Sequence, residues 1–173
     1  MPYTIIDKIY SDYSVLLDYL ESNKEISLRN DADNNFKKIL LLSIASFFEH
    51  EITEGLLRFI SKNSNNNQMI YSFAKRKGVD RQYHTYFDWP ERKANKFYSL
   101  FGDEFKKDIE KEIKSNELLR NSAKDFLEIG FIRNELVHEN FAVFPLDKTA
   151  KDIYNLYESA IIFVDYLMKK LSS

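Results

Sequence analysis

The stretch Arg133-Asn134-Glu135-Leu136-Val137-His138 closes a segment of helical periodicity that begins near Glu117. Small or apolar residues recur along one face at three- and four-residue spacing, at Leu119, Ala123, Phe126 and Gly130. This spacing predicts a helix with that face on the core. The same face continues to Arg133, Asn134 and Val137. A second apolar face carries Ile129, Ile132 and Leu136, and two apolar faces interrupted by Arg, Asn and His indicate burial against a partner chain as well.

The polar residues of this stretch have a geometry that suits phosphate chemistry. Asn134 and His138 lie one helical turn apart, and the side chain of Arg133 is long enough to reach across to them. A guanidinium is always positively charged and donates paired hydrogen bonds to phosphate, and an imidazole exchanges protons near neutral pH. Together they support phosphodiester chemistry without a metal. The structural alternative is that Arg133 pairs with Glu128 or Glu135 while His138 caps the helix end.

The pattern Arg-Asn-x-x-x-His in a late helix resembles the signature of the HEPN superfamily (higher eukaryotes and prokaryotes nucleotide-binding domains). The upstream stretch Ser46-Phe47-Phe48-Glu49-His50-Glu51-Ile52 resembles its RiboL-PSP-type branch. The resemblance extends from about Phe36 to the C-terminus. It implies a metal-independent endoribonuclease, active as a homodimer in which two copies of the motif face each other.

The resemblance also bounds the biological role. Compact HEPN proteins of this kind serve as toxins or defence effectors. The resemblance therefore implies two kinds of partner, an RNA substrate and an antitoxin or another protein regulator. HEPN toxins that are silenced by nucleotidyl transfer carry Tyr two positions after the motif His, where this chain has Asn140. The alternative is a catalytically inactive HEPN dimer that binds RNA, a nucleotide or a protein partner.

Composition favours helices and excludes several chemistries. A chain of 173 residues with four Gly and three Pro predicts one all-α domain over residues 1–173, an antiparallel bundle with two long core helices. The two apolar faces of the motif helix and the usual symmetry of small homo-oligomers predict dimerisation through that helix. The absence of Cys excludes a thiol nucleophile and fits a reducing cytoplasm. Neither a membrane span nor a leader is expected, since no apolar run is long enough and Met1-Pro2-Tyr3-Thr4 lacks a basic region followed by an apolar one. No cofactor or metal is expected.

Periodicity places the other helices. The polar stretch Arg29 to Asn34 predicts a connection whose Asp31, Asp33 and Asn34 cap a long helix from about Asn35 to Ser61. The remaining predicted helices span about residues 4–22, 69–77, 103–114 and 149–171.

Two groups of residues are candidate accessory positions. Within the long helix, Glu49 or His50 would point at the motif helix and orient Arg133 or His138. The alternative for this stretch is that Glu51 and Glu54 face solvent and pair with Arg58 at helical spacing. The spacing lacks the His-x3-His of helical zinc ligands, which argues against a metal.

The second group is the basic run Lys75-Arg76-Lys77 with Arg81, which is followed by an aromatic segment. Cations interleaved with rings are typical of single-stranded RNA binding. The alternative is that Tyr86, Phe87 and Trp89 anchor this connection on the core, and for Trp89, which precedes Pro90, we expect that role. The roles of Tyr83 and His84 stay open.

Overall fold

Residues 3–172 of the chain are described by a computed structural model. Within them there are eight α-helices and no β-strand: α1 Ile5–Ser22, α2 Ile26–Asn63, α3 Gln68–Ala74, α4 Tyr83–Tyr86, α5 Asn95–Ser99, α6 Asp103–Ser115, α7 Glu117–His138 and α8 Ala150–Ser172. A π-helical turn, Lys75–Val79, follows α3. The predicted all-α class is confirmed. Met1 and Pro2, which belong to the N-terminal stretch where no leader is expected, lie outside the described residues. Among residues 3–172, no helix is long and apolar enough to cross a membrane.

The long helices form a bundle in which α1 and α7 run antiparallel to α2 and α8. Lys37 near the start of α2 donates to the Leu146 carbonyl just before α8, and Lys62 near its end donates to Ser172. These two contacts make α2 and α8 parallel to each other. Helix α1 packs on α2 in the opposite direction, with Tyr13 on Phe36 and Glu21 beside Arg29, and α7 packs on α8 in the opposite direction, with Phe126 against Phe163.

Aromatic rings fill the centre of the bundle. The Phe48 ring of α2 lies 5.6 Å from that of Phe126 on α7, and the Phe126 ring lies 5.4 Å from that of Phe163 on α8. All three side chains are fully buried. Because buried rings of this size contribute most of a small domain's packing energy, this cluster fixes α7 against both long helices.

The predicted start of α2 was wrong. The helix begins at Ile26, nine residues before Asn35, and Asp31, Asp33 and Asn34 lie inside it and do not cap it. Contacts with α1 explain the difference: the Tyr13 ring stacks on Phe36, and the Tyr13 hydroxyl donates to Asp33 at 3.0 Å. Tertiary packing therefore overrides the low helix propensity of the Asn and Asp residues.

The two apolar faces of α7, from which a partner chain was inferred, are largely buried within the chain itself. Trp89, α2, α6 and α8 surround α7 within the chain, and Ile129, Ile132 and Leu136 are all buried there. On the first face only Val137 is largely exposed, with 46% of its surface accessible. Dimerisation therefore stays a prediction, and of the apolar residues on these faces only Val137 remains largely exposed to a partner chain.

Candidate active site at the end of the seventh helix

Arg133 has a half-buried side chain and no acidic partner. Its Nη1 donates to Asn134 Oδ1 at 3.2 Å, and within residues 3–172 it forms no ion pair. Glu128 is instead held by Arg92 at 3.2 Å and by Lys148 at 3.6 Å. The structural alternative, in which a glutamate neutralises Arg133, does not occur, and the guanidinium retains donors for an anion.

Arg133 and Asn134 line a cavity of about 230 Å³ between α2, α7 and the segment that contains α4. Its apolar walls include Phe48, Trp89, Phe126 and Ile129, all buried. The polar lining is formed by Glu49, Arg81, Tyr83, His84, Arg133 and Asn134. The cavity therefore combines an apolar interior with three basic side chains and one carboxylate.

Trp89 forms one wall of the cavity because α7 has a glycine opposite it. A β-carbon at Gly130 would overlap the six-membered part of the Trp89 indole. The loop that carries Trp89 is closed by paired backbone hydrogen bonds between Asp88 and Lys93. Arg92 in the same loop also stacks on the Phe131 ring, 4.0 Å from its centroid. The expected anchoring role of Trp89 is confirmed.

Tyr83 connects the cavity electrostatically to both α2 and α7. Burial raises the pKa of its hydroxyl, the Glu49 carboxylate raises that pKa further, and the Arg133 guanidinium opposes this effect. The hydroxyl accordingly stays protonated at neutral pH and has no hydrogen-bond partner in the described part of the chain. Sequence reasoning left Tyr83 open, because only the fold brings it close to Glu49 and Arg133.

The two candidate accessory residues on α2 separate in the structure. Glu49 is exposed at the cavity with Arg133, and no ion pair engages it within residues 3–172. His50 lies outside this cavity, in a shallow groove with Ile5, Ile39 and Phe47. One residue along a helix turns the side chain by about 100°, so Glu49 and His50 face different surfaces.

His138 is the last residue of α7 and is exposed. It does not line the cavity, and its imidazole makes no hydrogen bond or ion pair with any described residue. The chain turns directly after it, with the Asn140 side chain accepting from the Ala142 amide at 3.0 Å. The motif thus divides into a half-buried Arg–Asn pair and an exposed imidazole one turn further on.

A buried lysine that sequence reasoning missed holds the segment after His138. Lys38 of α2 donates from Nζ to the Phe141 carbonyl at 2.7 Å and lies over the Phe141 ring. It is 6% exposed, although lysines are almost never fully buried without a partner. The sequence signal for it is its position between Phe36 and Leu40 on an otherwise apolar part of the helix.

The basic run is divided in a similar way. Lys75 pairs with Asp80 at 2.5 Å, Arg76 and Lys77 are exposed, and Arg81 lines the cavity. Lys77 contributes to a different groove, which it shares with Lys106. The structure therefore brings only Arg81 of this group to the motif.

The described residues contain no group of three or more His, Cys, Asp or Glu side chains that could hold a metal ion. The all-α bundle is compatible with a HEPN-type helical domain. A comparison with protein families matches RiboL-PSP-HEPN over residues 6–173, and the chain belongs to this family. Neither curated proteins nor solved structures returned a match.

Proposed function

We propose that this chain is a metal-independent endoribonuclease of HEPN type. The observation that carries the proposal is the half-buried guanidinium of Arg133, which has no carboxylate partner among residues 3–172 and lies beside Asn134. His138, one turn further on, makes no hydrogen bond or ion pair within the same residues. A cation left without a counter-ion in a partly desolvated position has a strong preference for an anion. A phosphodiester is the anion that the family resemblance implies.

The proposed reaction uses the RNA 2′-hydroxyl as nucleophile. His138 accepts the 2′-proton while the 2′-oxygen attacks phosphorus, and the P–O5′ bond breaks to leave a 2′,3′-cyclic phosphate and a 5′-hydroxyl. Arg133 binds the phosphate and stabilises the negative charge that increases on it in the transition state. Asn134 orients Arg133 through the observed hydrogen bond or binds a phosphate oxygen. DNA lacks the nucleophile and is not cleaved.

We further propose that the working site is composite and formed by two copies of the chain. The 5′-oxygen must gain a proton as it leaves, and a second His138 or Arg133 from a facing protomer would assist its departure. The surface around His138 suits such a contact, because Val137, Phe141 and Val143 are exposed apolar residues. Twofold pairing is the commonest symmetry of small homo-oligomers and would bring these side chains together.

Cleavage of RNA in excess chelator tests the activity, with DNA of the same sequence as the control substrate. We expect only the RNA to be cut, with cyclic phosphate and 5′-hydroxyl ends. Cleavage of both substrates, or 3′-hydroxyl ends on the products, would contradict a 2′-hydroxyl mechanism. Sedimentation at micromolar concentration tests the dimer, and a Val137→Asp variant should shift it to monomer.

The family resemblance supports a role as a toxin or defence effector, restrained by an antitoxin or another protein regulator. Induced expression in a bacterial host tests this role. We expect wild type to arrest growth with fragmentation of cellular RNA, and Arg133→Ala to do neither. Growth arrest by both proteins at equal expression would indicate a toxicity unrelated to RNA cleavage.

A further inference from the structure

The cavity beside the motif differs in character between its interior and its mouth. Phe48, Trp89, Phe126 and Ile129 line the interior and are all buried. Glu49, Arg81 and His84 are exposed, and Arg133 and Asn134 are half-buried. The exposed polar residues therefore surround the opening of an aromatic chamber.

The size and lining of this chamber select a planar apolar group with polar edges. An apolar cavity of roughly 150 Å³ already holds one benzene molecule, and this one measures about 230 Å³. A phosphate would lose its hydration against aromatic walls without compensation. A nucleobase fits inside, while its phosphate stays at the mouth on Arg133.

We propose that this cavity is a nucleobase subsite that takes a guanine adjacent to the scissile phosphate. The proposal rests on the ribonuclease function above and specifies the substrate of the same site. It would make Glu49 and Arg81 determinants of sequence specificity, separate from the residues assigned to bond cleavage.

Guanine is favoured by the arrangement of charges at the mouth. Its ring N1–H and its exocyclic amino group are two adjacent donors, and the Glu49 carboxylate accepts hydrogen bonds without donating any. Its O6 and N7 are the acceptors that Arg binds with two parallel hydrogen bonds, and Arg81 lines the same cavity. Adenine and cytosine place an acceptor beside their amino group, and uracil offers one donor between two carbonyls.

Two further observations support a ligand in this position. Glu49, Arg81 and Arg133 form no ion pair with other described residues, although they line one cavity. The Tyr83 hydroxyl beside them also lacks a protein partner in that part of the chain. Groups with unused hydrogen-bonding capacity around an aromatic chamber match the way single-stranded RNA bases are bound, by contact with rings and by bonds to their edges.

Trp89 provides a direct readout because it is the only tryptophan of the chain and lines the cavity. The four 3′-nucleoside monophosphates are titrated into wild type by calorimetry, with Trp89 fluorescence to locate the bound base. We expect 3′-GMP to bind at least roughly tenfold more tightly than the other three and to change the fluorescence, since a good bidentate contact gives discrimination of this order. Equal affinities for the four nucleotides would overturn the proposal.

Glu49→Gln tests the specificity contact, and Glu51→Gln, two residues along the same helix and absent from the cavity, is the matched control. Replacement of Glu49 should remove most of the preference for guanine, whereas replacement of Glu51 should retain it. Retention of the preference in Glu49→Gln would contradict the assignment. Circular dichroism of both variants verifies the helical fold.

The positions at which RNA is cleaved distinguish a failure of the nucleobase subsite from a failure of the proposed ribonuclease function. If both hold, cleavage positions share a guanine at one fixed distance from the broken bond, and 3′-GMP inhibits competitively. Cleavage without a base preference would leave the ribonuclease in place and remove the subsite. Binding of 3′-GMP that depends on Glu49 but accompanies no cleavage would support the base site and contradict the ribonuclease. Binding of 3′-GMP that does not compete with RNA would assign the cavity to a free nucleotide and overturn the subsite.

Discussion

Gly130 of α7 lies directly against the indole ring of Trp89, so closely that no side chain fits between them. The contact joins the motif helix to a loop 41 residues earlier in the chain. It places Trp89 as a wall of the cavity that Arg133 also lines. The shape of the cavity therefore depends on the absence of a β-carbon at Gly130.

Replacement of Gly130 by Ala should lower the free energy of unfolding by about 1–3 kcal/mol, because the new methyl group forces the Trp89 ring or the helix to move. Urea denaturation measures the change. Gly78→Ala is the matched control, since a β-carbon there meets nothing within 4 Å and the backbone is not in the left-handed region. Equal stability of the two variants would show that the Trp89 contact is not tight.

Lys38→Met should loosen the segment that follows His138. The substitution removes the donor to the Phe141 and Ala142 carbonyls and leaves these acceptors to water, at a cost of about 1–3 kcal/mol. Hydrogen exchange of residues 139–146 should accelerate, while exchange in α8 stays slow. Lys62→Met, which removes a similar bond at the far end of α2, is the control. Unchanged exchange after the loss of Lys38 would indicate that another contact holds the segment.

In the basic run Lys75–Lys77, the residues available to an RNA backbone are Arg76 and Lys77, since Lys75 is paired with Asp80. For a single strand each phosphate contact adds about 0.7 to the slope of log affinity against log salt. Replacing Arg76 and Lys77 by Ala should therefore lower that slope by about 1.4. The matched control replaces Lys107 and Lys111, exposed on α6. An unchanged slope for Arg76 and Lys77 would assign these charges to solubility.

Protonation of the Asp7 carboxylate should destabilise the fold in acid. Burial alone would raise the pKa of its carboxyl, but hydrogen bonds from the Thr4 amide and the Tyr154 hydroxyl outweigh burial and lower the pKa below its ordinary value of 3.8. The charged carboxylate therefore stabilises the fold above about pH 4, and this stability is lost as pH falls through the lowered value. Asp7→Asn should cost about 0.5–1 kcal/mol at pH 7.

The loss of unfolding free energy caused by Asp7→Asn should become smaller by pH 3, because the carboxyl of Asp7 is then partly protonated in wild type. Thermal unfolding at pH 7 and pH 3 measures it. Asp18→Asn, exposed on the same helix, should have little effect at either pH. A cost for Asp7→Asn that is independent of pH would show that its charge does not matter.

Local pattern predicted the helices that bury a regular stripe. The period along α7 gave its bounds to within one residue, from Glu117 to His138. It failed at residues 29–34, where propensity indicated a connection but Tyr13 packs on Phe36 and extends α2 toward its start. A preference of a few tenths of a kcal/mol per residue is easily outweighed by one aromatic contact.

The candidate site was only partly predictable for a related reason. The motif residues could be predicted because they are close in sequence, and Glu49 could be predicted from the helical periodicity of α2. The cavity was not, since it requires Trp89 to meet Gly130 and Tyr83 to approach Glu49 across long separations. Sequence spacing contains no information on such contacts when no related sequences are compared.

The central claim is that Arg133 and His138 cleave RNA without a metal. Its most direct test compares RNA cleavage in excess chelator by wild type, Arg133→Ala and His138→Ala, with Lys124→Ala, exposed on the same helix, as control. We expect wild type and the Lys124 variant to cleave equally. The Arg133 and His138 variants should each lose at least about 100-fold in rate. Full activity in both motif variants, or loss of wild-type activity on chelation, would contradict the account and favour a HEPN dimer that only binds its partner.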